Sequence, residues 1–187
     1  MAGRAHCRDD GHDATRSGGD GVIVALVGNP DTGKSSIFNH LTGARQHIGN
    51  WPGKTVSKAH GSFARDGADV QLVDLPGTYS LNASSPEEMI ARDYLVNGRP
   101  EAVIVVADAS NLERNLYLVV QVLEMGIHTI VALNMVDVAE SYGIKVDAGA
   151  LAERLGAPVI PTVARSGDGL DALRDAVVRF VTTEHIP

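Results

Sequence analysis

An apolar run, VIVALV at 22–27, passes directly into the octet GNPDTGKS at 28–35. The octet fits G-x-x-x-x-G-K-[ST], a loop whose backbone N–H groups cradle phosphates. The run before it reads as a buried strand, and residues 36–41 read as the first turns of a helix. Few folds accommodate a strand that feeds a glycine loop opening a helix. An α/β sheet with its strand ends aimed at a phosphate-bearing ligand is foremost among them. Gly28 and Gly33 let the chain curl, Lys34 reaches the β/γ oxygens, and Ser35 offers a hydroxyl to Mg²⁺. The helix N-terminus adds a partial positive charge. The candidate phosphate site is therefore Gly28, Asn29, Pro30, Asp31, Thr32, Gly33, Lys34 and Ser35, with Ser36 beside it.

Bulk properties restrict the rest. At 187 residues the chain fits one domain, and its 44% hydrophobic and 21% charged content is that of a globular protein. A net charge of −7 argues against sequence-independent nucleic-acid binding, which needs a basic face. The single cysteine, Cys7, excludes an internal disulfide and suits a reducing cytosol. It lies near His6 and His12, so the choice is between a metal-binding tail and a solvated thiol in a floppy arm, and the arm is the simpler reading. Residues 1–20 lack periodicity and read as a disordered extension, leaving 21–187 as the domain. No apolar stretch approaches the ~20 residues that span a bilayer.

From residue 21 onward strands and helices alternate. Strands are expected at 22–27, 55–64, 70–74, 102–107, 127–133 and 159–163, which makes a six-stranded, mostly parallel sheet. The second of these alternates weakly and reads as an edge strand, joined to the third by a turn at Arg65-Asp66-Gly67. Residues 42–54 read as a loop. Helices are expected at 34–41, 86–95, 111–124, 136–142, 148–155 and 169–181. The second has Ser85 as its cap, Pro86 first, and Glu87 and Glu88 in its first turn. In the third, Leu112, Leu116, Val119, Val120 and Leu123 form an apolar stripe. Strands apolar on both faces imply helices on both sides of the sheet.

Three further motifs fall at strand ends. Asp74-Leu75-Pro76-Gly77 comes about 40 residues after the octet. Its carboxylate can hold Mg²⁺ through a water, and Gly77 can offer an N–H to a γ-phosphate. Between the two lie Gly53, Lys54 and Thr55. A Thr55 hydroxyl would complete the Mg²⁺ shell only with the γ-phosphate present, making that loop a switch. Thr55 as a plain sheet residue is the competing reading. Asn134-Met135-Val136-Asp137 ends the fifth expected strand. Asp137 can accept both N1–H and the amino group of guanine, which adenine cannot match. Asn134 would tie this loop to the phosphate loop, and Met135 would cover the base. Thr162, Val163, Ala164 and Arg165, after the last strand, are placed to offer backbone N–H groups to the base oxygen. The catalytic candidates are Lys34, Thr55 and Gly77. Glu87 and Glu88 tempt a general-base role, but helix N-terminal acids are the simpler account. Trp51, the sole tryptophan, sits in the candidate switch.

These motifs resemble the small GTPase superfamily over residues 21–181, with a Ras-like P-loop fold. GNWPGKTV at 49–56, DLPGTYSL at 74–81, SPEEMIARDYL at 85–95 and DASNLERNLYL at 108–118 resemble, more narrowly, the G domain of the ferrous iron transport B (FeoB) family. NMVD also fits that family's NMxD spelling. The resemblance implies a module that binds and slowly hydrolyses GTP with Mg²⁺. In the family this module precedes a helical spacer and a membrane domain carrying Fe²⁺, so it lies at the cytoplasmic face of the membrane. It also implies that Asp31 replaces an asparagine that helps bind K⁺ beside the phosphates. Asp31 could hold K⁺ more strongly, or repel the phosphates when no cation is there. Val163 stands where the family has Ser, which can loosen base selectivity. Thr78 stands where Ras-like proteins have glutamine, which implies slow hydrolysis. The alternatives are a nucleotide-holding switch without turnover and a ribosome- or tRNA-associated GTPase, and association into a homo-oligomer stays open.

Overall fold

The computed structural model describes residues 21–43, 46–52 and 56–183. The expected disordered extension at 1–20, with His6, Cys7 and His12, lies outside the described residues. So do Gly53, Lys54 and Thr55.

Seven strands among the described residues form one sheet in the order β2-β3-β4-β1-β5-β6-β7. They are β1 Val22–Gly28, β2 Gln46–Asn50, β3 Ser57–Arg65, β4 Ala68–Asp74, β5 Ala102–Asp108, β6 Thr129–Asn134 and β7 Val159–Pro161. β4, β1, β5, β6 and β7 run parallel, while β2 and β3 are antiparallel to their neighbours. The six-stranded expectation is corrected by β2, which lies in the segment read as a loop. β2 contains one apolar residue, Ile48, and it is 77% exposed. Backbone pairing makes this strand, so no hydrophobic pattern could announce it. β3 is consequently not an edge strand, because β2 covers its outer side. The expected β3–β4 hairpin is present, and its turn places Asp66 and Gly67 both at positive φ, as a tight hairpin turn requires.

Two apolar layers flank the sheet. Val24, Leu26, Ile104 and Ile130 meet Ile37 and Leu41 of α1 (Lys34–Thr42) and Leu173 and Val177 of α6 (Leu170–Thr183). On the other face Ala25, Val27, Val103 and Val105 meet Ala91 and Leu95 of α2 (Pro86–Asn97) and Leu118, Val119 and Val122 of α3 (Leu112–Glu124). Strictly alternating strands with both faces covered give parallel-sheet packing. The stripe expected on α3 is partly corrected. Leu118 and Val122 are buried, whereas Val120 is 42% exposed. Leu112, Leu116, Val119 and Leu123 pack inward as expected, and Val120 lies at the edge of the apolar arc, beside Glu113 and Glu124 around the helix. Two short helices, α4 Val136–Ser141 and α5 Ala148–Leu155, complete the β6–β7 connection. The parallel strands all point their carboxyl ends to one edge, and the motifs gather there.

Candidate functional site

The phosphate loop leaves β1 at Gly28 and enters α1 at Lys34. Gly33 takes φ +82, and a Cβ there would stand 2.3 Å from Asn134 Nδ2, so only glycine fits. At Gly28 a Cβ would meet the Val106 carbonyl at 2.8 Å. Inside the loop Thr32 Oγ1 donates to the Asn29 carbonyl at 2.9 Å. Asp31 takes φ 65 and is exposed. Asp and Asn are the side-chain-bearing residues that best tolerate this left-handed conformation, so backbone geometry alone favours one or the other here.

The Asp74–Gly77 segment runs alongside. Leu75 N–H donates to the Leu26 carbonyl at 2.9 Å and Thr78 N–H to the Gly28 carbonyl at 3.1 Å. These bonds extend the β1–β4 ladder past the strand ends and hold the two motifs together. Gly77 approaches the phosphate loop closely, since a Cβ on it would stand 3.4 Å from Pro30 N. Lys34 Nζ sits 2.5 Å from Asp74 Oδ1, and both side chains are largely buried. Burial pushes the Asp74 carboxyl above the usual carboxylate range, and the Lys34 ammonium pulls it partway back. Thr78, at the position of the water-orienting glutamine in Ras-like proteins, is 3% exposed and its hydroxyl donates to the Ser80 carbonyl at 2.7 Å. Glu88 accepts from Ser80 Oγ and from Ser84 N–H, each at 2.8 Å. Both carboxylate oxygens therefore serve the loop leading into α2, consistent with the helix-terminal role.

At the far side, Asn134 is 2% exposed and joins three segments. Its Nδ2 donates to the Thr32 carbonyl at 2.8 Å, and its Oδ1 accepts from Thr162 Oγ1 at 3.2 Å and from Ala164 N–H at 2.9 Å. The expected tie between this loop and the phosphate loop is thus present. The Ala164 N–H, expected to face a base oxygen, is engaged by Asn134, so a base would share that donor. Thr162 was expected only to offer its backbone N–H to a base, whereas its hydroxyl donates to Asn134 and its N–H to the Leu133 carbonyl. Met135 takes φ 61 and heads α4. Its Cε lies 3.7 Å from the point a Gly33 Cβ would occupy. Asp137 Oδ2 lies 3.5 Å from Arg165 Nη2, a long contact with Arg165 89% exposed. A turn from Val163 to Asp168, closed by Val163 N–H to the Asp168 carbonyl at 2.9 Å, shapes the last loop.

The described candidates therefore converge on one sheet edge: the octet, Asp74 and Gly77, Asn134 to Asp137, and Val163 to Arg165. Their oxygen donors, Ser35 one residue beyond Lys34 and Asp74 in contact with Lys34, suit a hard cation such as Mg²⁺.

The family model described as ferrous iron transport protein B matches residues 22–177. The Fe(2+) transporter FeoB of Shigella flexneri is 50% identical over 169 residues, which cover 88% of this chain and 22% of that protein. The chain spans about a fifth of the length of the curated relatives it matches. The solved G domain of T. maritima FeoB superposes with a TM-score of 0.80 at 46% identity, covering 86% of this chain and 98% of that one. The cytosolic domain of the same transporter in GMPPNP form gives 0.82 at 47% identity, covering 84% of this chain and 63% of that one. The chain belongs to the FeoB family and has the Ras-like P-loop GTPase fold of the family's G domains.

Proposed function

We propose that this chain binds GTP with Mg²⁺, hydrolyses it slowly by in-line attack of water, and acts as the cytoplasmic-face nucleotide switch of a Fe²⁺ transporter. The Asn134 junction carries the reading. One buried amide locks the phosphate loop, the Asp137 loop and the Ala164 loop into a single cradle, the arrangement needed to grip a triphosphate and a base together. That a relative's cytosolic domain was solved with GMPPNP supports the choice of ligand.

Ser35, Thr55 and Asp74 would hold Mg²⁺, which when bound neutralises charge on the β- and γ-phosphates. Lys34 and the loop amides would stabilise charge on the transferring group, and Gly77 would donate its N–H to the γ-phosphate. Gly53 and Lys54 directly precede Thr55 and would contact the nucleotide with it. The Thr78 hydroxyl donates to the Ser80 carbonyl rather than to a water, which supports slow turnover. Asp31 would take the K⁺ position. The Fe²⁺ cargo, a helical spacer, a membrane domain and a homo-oligomeric state belong to this same proposal. Among the described residues no helix is long and apolar enough to cross a membrane. Residues 21–187 acting as one domain is likewise proposed.

Phosphate release from GTP, measured with K⁺ and then with Na⁺, tests the reading. The expected result is slow release that needs Mg²⁺ and is faster in K⁺. Tight GTP binding with no release in either salt would favour the nucleotide-holding alternative, which the buried Thr78 hydroxyl also suits.

A further inference from the structure

The β2–β3 pairing sets His47 directly opposite His60. Their ring centres are 5.7 Å apart with planes inclined at 47°, and both residues are exposed. Directly opposed residues on antiparallel strands have Cβ atoms about 4.5–5.5 Å apart, which lets both side chains reach one point. With metal–nitrogen bonds of about 2.0–2.1 Å, two imidazoles on one ion have ring centres roughly 5–6 Å apart. The observed spacing falls in that window with the strands already in place.

We propose that His47 and His60 form a two-imidazole site for a first-row divalent transition ion, held across β2 and β3. Imidazole nitrogen is the donor that such ions favour over Mg²⁺ or Ca²⁺. Partial desolvation of the ring, then Lys58 and His47, hold His60 below its ordinary pKa. The Lys58 ammonium on the same strand is drawn onto the Trp51 ring, 4.9 Å from its centre. Among the described residues no group of three or more His, Cys, Asp or Glu converges on a point. Water therefore completes the shell, and the site is an open, exchangeable one.

The location gives the ion something to act on. Trp51 N–H donates to the Val56 carbonyl at 3.0 Å, closing the loop that contains Lys54 and Thr55. The histidines lie three register steps behind Asn50 and Ser57, the last pair before that loop. An ion across them staples β2 to β3, the two strands between which the candidate switch threonine falls in the sequence. The site stands apart from the nucleotide reading and does not rest on it.

The test uses the full chain with the tail donors replaced (His6→Ala, Cys7→Ser, His12→Ala), titrated calorimetrically with Zn²⁺. One ion per chain is expected. Loss of an outer-shell partner alone costs about 10–100-fold in metal affinity. Loss of one of two direct ligands, in His47→Gln or His60→Gln, should cost at least tenfold. Far-UV circular dichroism confirms that each variant folds, and both sites are exposed, so failure to fold at both is not expected. As a second readout, Zn²⁺ should shift the imidazole nitrogen resonances of both histidines together. No Zn²⁺ binding in the tail-replaced parent, or affinity unchanged in both glutamine variants, would overturn the site.

Discussion

Lys34 and Asp74 are a buried ion pair at the floor of the cradle, 2.5 Å apart, in a place where neither charge is well solvated. Burial alone drives the Asp74 carboxyl upward, and Lys34 is the group restraining it. Removing that cation in Lys34→Ala should let the Asp74 pKa rise further, read by carboxyl carbon shifts across an acid titration. A value that stays put or falls would show that the pair does not set Asp74's ionisation. The same variant should lose binding of a non-hydrolysable GTP analogue, because the ammonium is the side-chain cation of the phosphate loop. Asp137 sets the base preference on the proposed reading. Its carboxylate would accept two donors of guanine, each a charge-assisted bond worth about 1.5–3 kcal/mol. Asp137→Asn should weaken GTP by about that much, while the new amide can donate to the extra carbonyl of xanthine. Competition between GTP, ATP and xanthosine triphosphate on both proteins checks this. The wild type binding ATP as tightly as GTP would defeat guanine selectivity. The Arg165 contact does not alter the expectation, since a long, exposed pair contributes little.

At the level of elements, the segment from Tyr79 to Ser85, beyond the bonds that tie Leu75 and Thr78 to β1, is held by side chains. Glu88 reaches back from the first turn of α2 to Ser80 Oγ and Ser84 N–H, while Ser85 Oγ caps the helix by accepting from Glu88 N–H at 3.2 Å. Gln121 of α3 accepts from Leu81 N–H at 2.9 Å, and Arg114 stacks its guanidinium 4.1 Å from the Tyr79 ring centre. The bonds from Ser80, Ser84 and Ser85 hold the Glu88 carboxyl below its ordinary range. A folded-state pKa that is lowered adds stability above the unfolded value, and the gain disappears as pH falls through the folded one. Glu88→Gln should therefore be less stable than the parent near pH 7, with the gap closing in acid. Urea titrations at several pH values measure it, and a gap that is constant with pH would mean the carboxylate charge is irrelevant. These elements also show what a sequence reveals. α2 was legible because Ser85, Pro86 and Glu88 state its start in chemical terms, and α5 because Asp147 and Gly156 bracket it. β2 was not, because residues 47–50 are all exposed and impose no period of two. The inward face of α3 was legible except at Val120, which stands at the edge of its apolar arc. Within the site, Asn134's tie to Thr32 followed from residue chemistry. The capture of its Oδ1 by Thr162 and Ala164 depends on how β6 and β7 are juxtaposed, which no local pattern encodes.

Across the molecule, the sheet is the common wall of both apolar layers. Leu173 of α6 is fully buried on one side and Leu118 of α3 on the other. The nucleotide cradle is built from loops that leave four parallel strands, so its geometry inherits the integrity of both layers. If residues 21–187 are one domain, the layers cannot melt separately. Leu173→Ala and Leu118→Ala should each cost about 2–5 kcal/mol, the range for emptying a buried leucine site. Because the two sit on opposite faces without shared contacts, the double variant should lose close to the sum. Both single variants should still unfold in one transition, with calorimetric and van't Hoff enthalpies agreeing. On the proposed function a GTP analogue with Mg²⁺ would bind only the folded chain, so at about a hundredfold above its Kd it should add roughly 2.7 kcal/mol to parent and core variants alike. Lys34→Ala should gain nothing from the same ligand while melting as a single unit. Two separated transitions, or a ligand that stabilises only one layer, would divide the chain into independent parts and overturn the single-domain reading. A uniform shift instead ties nucleotide binding to the whole sheet, so that occupancy of the cradle is felt wherever β1 is paired, out to the β2–β3 hairpin at its edge.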